Sequence, residues 1–250
     1  ISTVKSLFMN LSSKKLKIIF GIFYLAALFF VLYFLFSIID LKDFTSYEFI
    51  RSNKEIITKY KNENFLFLTT IFFIFSVIWV LLLGFAGPIL LFAGFVFGKW
   101  WGISISIIAT TIGATLLYLL AGIFFKKLIK EKLEPKFVKF NEFFKKNELF
   151  YFTLFRFIGG GGMPYGIQNV LPVLFNISTK NYFFGTLIGS GPPMFVSVAL
   201  GAGLQNFIDK NYELSFFQLI SSPDIYLPII GFLVIIVSAF FVKKFFFNTK

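Results

Sequence analysis

Charged residues vanish from this sequence for stretches too long to suit a water-soluble fold. Ile18 to Ile39 runs 22 residues without a charge, and Phe65 to Gly98 runs 34. The segments 102–125, 157–179, 181–208 and 225–242 are uncharged as well. A hydrocarbon core of about 30 Å is crossed by about 20 apolar residues in a helix, so four or five spans are expected. The fold class is an all-α polytopic membrane protein, because lipid leaves backbone groups no partner but the helix's own. The same setting accounts for 41 phenylalanines, which face lipid well and require no aromatic ligand box.

The chain has no Cys and no His. That removes disulfides, thiol redox chemistry, Cys or His metal ligation and His general-base catalysis. No Asp or Glu falls inside the long apolar runs either. No catalytic residue, metal site or cofactor is expected, and the chain is not read as an enzyme. A net charge of +12 would suit nucleic acid, but the lysines sit between apolar runs, where they mark cytoplasmic loops. Nucleic acid is therefore not an expected partner.

Lys5, Lys14, Lys15 and Lys17 place residues 1–17 in the cytoplasm, ahead of a first transmembrane helix at 18–39. That run exceeds the apolar region of a signal peptide, so an uncleaved helix is expected. Residues 40–64 form a polar connector with five basic and five acidic residues. Phe65 to Gly98 would be about 50 Å as one helix, too long for one crossing, and Gly84, Gly87 and Pro88 offer the break. Gly94, Gly98 and Gly102, then Ala109 and Gly113, follow small-xxx-small spacing that allows close helix packing. Residues 126–148 are expected to form a Lys-rich cytoplasmic helix, with Phe137, Phe140 and Phe144 on one membrane-facing side. The segment Leu149–Asn176 holds one charge (Arg156), four successive glycines (Gly159 to Gly162), Pro164, Pro172, Gln168 and Asn169. No straight helix runs through it, and irregular backbone at membrane depth must be buried in protein or face a wet cavity. A re-entrant hairpin fits. Gly185, Gly189, Gly191 and the pair Pro192-Pro193 interrupt the next helix, residues 205–224 form an acidic extracytoplasmic loop, and 225–242 is the last span.

Charge parity supports two hairpins. With the N-terminus inside, residues 65–101 go in and come back out, broken near Pro88, and 103–125 re-enter. The eight-lysine loop then lies inside, 150–175 returns to the inside, 181–204 exits and 225–242 brings the C-terminus in. Re-entrant hairpins are thus placed near 86–101 and 150–175, with both termini cytoplasmic.

The runs FAGPILLFAGFVFGKWWGISISIIATTIGATLLYLLAG and FTLFRFIGGGGMPYGIQNVLPVLFNISTKNYFFGTLIGSGPPMFVSVALGAGL resemble the VTT domain of the SNARE-associated Golgi protein family, in the DedA superfamily. The resemblance covers roughly residues 65–204, through Pro88, Gly94 and Gly98, then Arg156, Pro164, Asn169, Gly189 and Pro192. It implies an inverted-repeat core with two opposed re-entrant helical hairpins, flanking transmembrane helices, residence in the cell inner membrane, and movement of lipid or lipid carriers between leaflets. Relatives often carry Arg where this chain has Gly122, and Pro soon after Arg156 where it has Gly159 or Gly160. Proton-coupled relatives use membrane acids and a second Arg nearby, and this chain has neither.

Arg156 has no intramembrane carboxylate in its own run. It can cap carbonyls of its hairpin, or meet an anion such as a lipid phosphate, which a guanidinium binds bidentately. The candidate substrate-binding set is Arg156, Gly159, Gly160, Pro164, Gln168 and Asn169. The glycines offer bare N–H groups, and the amides line a polar path or satisfy the hairpin backbone. Pro88, Gly94, Gly98, Gly102, Gly113, Gly185, Gly189 and Pro192 are assigned to hairpin shape and packing. Lys99 beside Trp100 and Trp101 reads as an interface anchor. The expected partner is a membrane phospholipid or a polyprenyl phosphate, with homo-oligomerisation open. Scramblase-like passive translocation is the leading function. An ion-coupled small-solute transporter and a membrane assembly or scaffold protein remain the alternatives.

Overall fold

The structure, a computed structural model, describes residues 54–82, 85–124, 147–209 and 221–242, with isolated positions elsewhere. Among these residues every regular element is helical. In order they are α1 (Lys54–Glu63), α2 (Phe65–Leu81), α3 (Ala86–Phe124), α4 (Glu148–Phe157), a four-residue helical turn (Gly159–Gly162), α5 (Tyr165–Val170), a 3-10 turn (Leu171–Phe175), α6 (Thr179–Gly189), α7 (Gly191–Asp209) and α8 (Pro223–Val242). The expected segments 1–17, 18–39, 40–64 and 126–148 lie wholly or mostly outside the described residues, and 205–224 does so for half its length.

α3 is two helices joined at a break. Gly98 has φ 75° and ψ 172°, a conformation open to glycine and strained for other residues. Nine residues along a straight helix are about 13 Å apart. Yet a Cβ built on Gly102 would lie 2.7 Å from the carbonyl oxygen of Ala93. The chain therefore folds back at Gly98. This corrects the expectation that Gly94, Gly98 and Gly102 share one helix face: they sit on two arms, and Gly94 and Gly102 both press on Val198 of α7.

A first reversal comes earlier, between Leu82 and Phe85. α2 runs antiparallel to the 86–97 arm, with Phe65 against Phe97 (6.0 Å between ring centroids) at one end and Trp79 Nε1 donating to the Phe85 carbonyl (2.8 Å) at the other. Pro88 does not break the helix but lies in its first turn, where its missing N–H costs nothing. The hairpin thus spans 65–97, while 86–101 is its return arm and the start of the next helix.

The second hairpin is closed at its base by Glu148. Its Oε1 accepts from Ser178 N (2.7 Å) and Oγ (2.7 Å) and from Asn181 Nδ2 (2.9 Å). α4 leaves this point and α5 with the 3-10 turn returns to it. α6 then runs parallel to α4, since Cβ atoms on Gly185 and Gly189 would strike Phe152 and Thr153 respectively. After a 44° bend the chain continues as α7. Pro192 lies in the first turn of α7, so the bend sits just before the proline pair that was expected to make it.

Each half is therefore a hairpin followed by a long helix. The two long helices are antiparallel: Tyr118 stacks on Tyr182 at one end (4.3 Å), Thr110 meets Met194 further along, and Gly102 meets Val198 near the other end. The hairpin bases lie at opposite ends, and Ala86 and Tyr165, near the two tips, pack into one cluster with Leu90, Met194 and Val198.

Outward faces are apolar. Leu66, Phe67, Ile71, Ile74, Phe75 and Ile78 of α2 are exposed, as are Leu227, Leu233, Val234 and Phe240 of α8. Such continuous apolar surface is unstable in water and natural in lipid. The long arm of α3 after Gly98 and α8 are candidate membrane spans, and the bent pair of α6 with α7 makes a third. Phe144 departs from expectation: it is buried on Phe152, Phe155 and Phe175 instead of lying on a membrane-facing stripe. Phe137 and Phe140 lie outside the described residues.

Candidate functional site

A cation is sealed between the second hairpin and α6. Arg156, in the last turn of α4, is 2% exposed. Its Nη1 donates to Asn169 Oδ1 (2.8 Å) and its Nη2 to the Tyr182 hydroxyl (2.6 Å). The Tyr182 hydroxyl in turn donates to the Asn169 carbonyl (3.0 Å). The guanidinium also lies 5.2 Å from the Phe152 ring and 5.1 Å from the Tyr182 ring. Among the described residues no carboxylate comes within ion-pair distance of Arg156.

An isolated buried ion costs several kcal/mol even after relaxation. Two charge-assisted hydrogen bonds, each about 1.5–3 kcal/mol, and two ring faces, each about 1–2 kcal/mol when desolvated, offset much of that. They do not cancel the charge. The arrangement differs from the first of the two readings of the sequence, since neutral side chains hold the guanidinium in place of carbonyls of its own hairpin.

Three polar groups in this cluster have no hydrogen-bond partner: Arg156 Nε, Asn169 Nδ2 and the Tyr165 hydroxyl. Tyr165 is half-buried with a fully buried hydroxyl, and it lies beside Thr110, Asn169 and Arg156. Its hydroxyl reaches hydrogen-bond geometry with neither Thr110 nor Asn169. Two of the three groups can only donate. Thr186, also wholly buried with an unpaired hydroxyl, sits on the same helix as Tyr182.

The other expected site residues are distributed as follows. Gly160 is buried at φ 61°, and a Cβ there would sit 2.5 Å from Gln168 Cγ. Gln168 donates from Nε2 to the Met163 carbonyl (2.6 Å), so it satisfies the hairpin backbone. Gly159 has open space around it, and Pro164 is exposed at the start of α5. Of the expected set the structure brings Arg156 and Asn169 into direct contact, and it adds Tyr165, Tyr182 and Phe152, which the sequence reading did not single out. Lys99 is exposed over the Trp100 ring at 5.9 Å.

A family model described as the VTT domain matches residues 85–203. This chain carries a VTT domain. No solved structure matches the chain. The VTT domain includes the whole Arg156 cluster and the cluster that joins the hairpin tips, but begins at 85, so α2, the outer arm of the first hairpin, precedes it. Membership in the SNARE-associated Golgi protein family agrees with the match, and this is a family of membrane proteins.

Within the VTT domain, Glu148 is a clamp. Its three hydrogen bonds tie the α4 start to the α6 N-terminus, where Ser178 also caps by accepting from Asn181 N. Glu148→Ala is expected to cost about 2 kcal/mol, since hydrogen bonds to a charged acceptor are worth more than neutral ones but are partly solvated here. Glu148→Gln, which keeps one acceptor oxygen, should cost less. Thermal unfolding of the purified protein in detergent checks the order.

Proposed function

We propose that this protein moves phosphate-bearing lipids between leaflets by passive exchange. In this reading both hairpins are re-entrant, entering from opposite faces, and the two halves form an inverted repeat. The α4 helix of 10 residues is about 15 Å long, half a hydrocarbon core. The antiparallel long helices support the inversion, a plan that recurs in transporters with sites near the midplane. The protein then lies in the cell inner membrane with both termini in the cytoplasm.

The observation that carries the proposal is Arg156: a buried cation with no carboxylate partner among the described residues, beside unpaired donors, where the hairpin tips approach one another. A lipid phosphate supplies both the missing charge and the missing acceptors. Arg156 contacts it through Nε once the tips part, with Asn169 Nδ2 and the Tyr165 hydroxyl completing the set. Gly159, Gly160, Pro164 and Gln168 shape the tip around it. Acyl tails stay in lipid throughout, so the path needs few charges.

The test is leaflet exchange of a labelled phospholipid in proteoliposomes, with uptake of small solutes as control. Lipid exchange without solute uptake is expected, at initial rates unchanged when an imposed pH gradient is collapsed with a protonophore. Solute uptake without lipid exchange would move the solute carrier ahead. A several-fold fall on collapse, absent in Glu148→Gln, would show proton coupling.

A further inference from the structure

We infer that the Arg156 cluster selects phosphate by its charge state, admitting the singly charged form, and that Tyr165 is a specificity-determining donor. The inference rests on the proposed lipid translocation and adds which headgroups the site takes.

The argument is a charge count. The cluster contains one fixed positive charge, Arg156, and its other polar members, Asn169, Tyr165, Tyr182 and Thr110, are neutral near neutral pH. The titratable and charged groups on the packed elements are few. α4 brings Glu148, bound to Ser178 and Asn181 at the hairpin base. α3 brings Tyr118, whose hydroxyl donates to the Ile177 carbonyl, and the exposed Lys99. α6 brings Tyr182 and the exposed Lys180. Among the described residues none adds a second cation to the cluster.

A phosphodiester carries one negative charge and neutralises Arg156. A phosphomonoester, with a second ionisation near pH 6, carries about 1.5 to 2 charges at pH 7. Seating it leaves net negative charge buried among aromatic rings, which low dielectric penalises. Lowering the pH below that ionisation returns the monoester to one charge and should admit it. The three unpaired groups, Arg156 Nε, Asn169 Nδ2 and the Tyr165 hydroxyl, then hold oxygens of the phosphate. Because the Tyr165 hydroxyl makes no hydrogen bond at rest, Tyr165→Phe leaves the resting protein intact while removing a donor to the ligand.

Exchange of labelled phosphatidylglycerol and labelled phosphatidic acid with matched tails tests this in the wild-type protein. At about pH 7.5 the diester should exchange about tenfold faster or more, and at about pH 5.5 the gap should close by acceleration of the monoester. Equal rates at the higher pH, or a gap that ignores pH, would overturn charge selection while leaving lipid translocation standing. No exchange of either lipid would overturn the translocation reading and this inference with it. Tyr165→Phe should slow the diester several-fold with unchanged thermal stability. A wild-type rate would remove Tyr165 from the site.

Discussion

Arg156→Ala is expected to slow leaflet exchange about a hundredfold, with Arg156→Lys in between. Loss of charge-assisted contacts worth about 3 kcal/mol together corresponds to two powers of ten. Lysine keeps the charge but offers a point donor in place of a planar fork, so it cannot reach Asn169 and Tyr182 as Arg156 does. Part of the alanine effect is structural. Asn169 Oδ1 loses its donor, and the space beside the stacked Phe152 and Tyr182 rings empties. Elution as a single species and a thermal midpoint for each variant separate misfolding from lost function. The lysine variant decides the matter if the alanine variant does not fold. Wild-type rates in both folded variants would remove the phosphate role.

The largest stability effect should come from Gly94→Val. A Cβ at that position would sit 1.8 Å from the Val198 carbonyl oxygen and 2.9 Å from Ala202 N, both backbone atoms of α7. Helix must move from helix, and overpacking of this kind costs about 3 kcal/mol or more. Gly201 is as close on the reciprocal side, where a Cβ would lie 2.0 Å from the Leu91 carbonyl. Gly122→Ala is the control: its nearest neighbour, Val173 Cγ2, is 4.0 Å away, and unfolding should barely change. Equal midpoints for the Gly94 and Gly122 variants would mean the 86–97 arm does not pack on α7 as described.

How much of this was legible in the sequence follows from what each signal measures. Uncharged length measures transfer into lipid, so the membrane class and the candidate spans near 102–125 and 225–242 could be read directly. Pro and Gly report where a helix can stop, not where it turns. Hence the region of the first break was found, but it lies between Leu82 and Phe85, Pro88 itself begins a helix, and Gly98 makes a second reversal. Small-xxx-small spacing finds close helix approach, yet it cannot tell one helix from two arms, which is how Gly94 and Gly102 were placed together. At the site, Arg156 and Asn169 stood out as polar groups in an apolar run. Tyr165, Tyr182 and Phe152 did not, because in a chain with 41 phenylalanines aromatics read as lipid-facing. The usable signal was the tyrosine hydroxyl, since a buried tyrosine seeks a partner for it.

The central claim is that the two hairpins enter from opposite faces. Single cysteines test it cleanly in a chain with none of its own. Glu63 and Lys99, exposed beside the base of the first hairpin, and Thr179, exposed beside the base of the second, are the positions to label in intact cells with a membrane-impermeant maleimide. The account predicts that Glu63→Cys and Lys99→Cys label from outside, and that Thr179→Cys labels only after the membrane is opened. Labelling of Lys99→Cys and Thr179→Cys from the same face would contradict it.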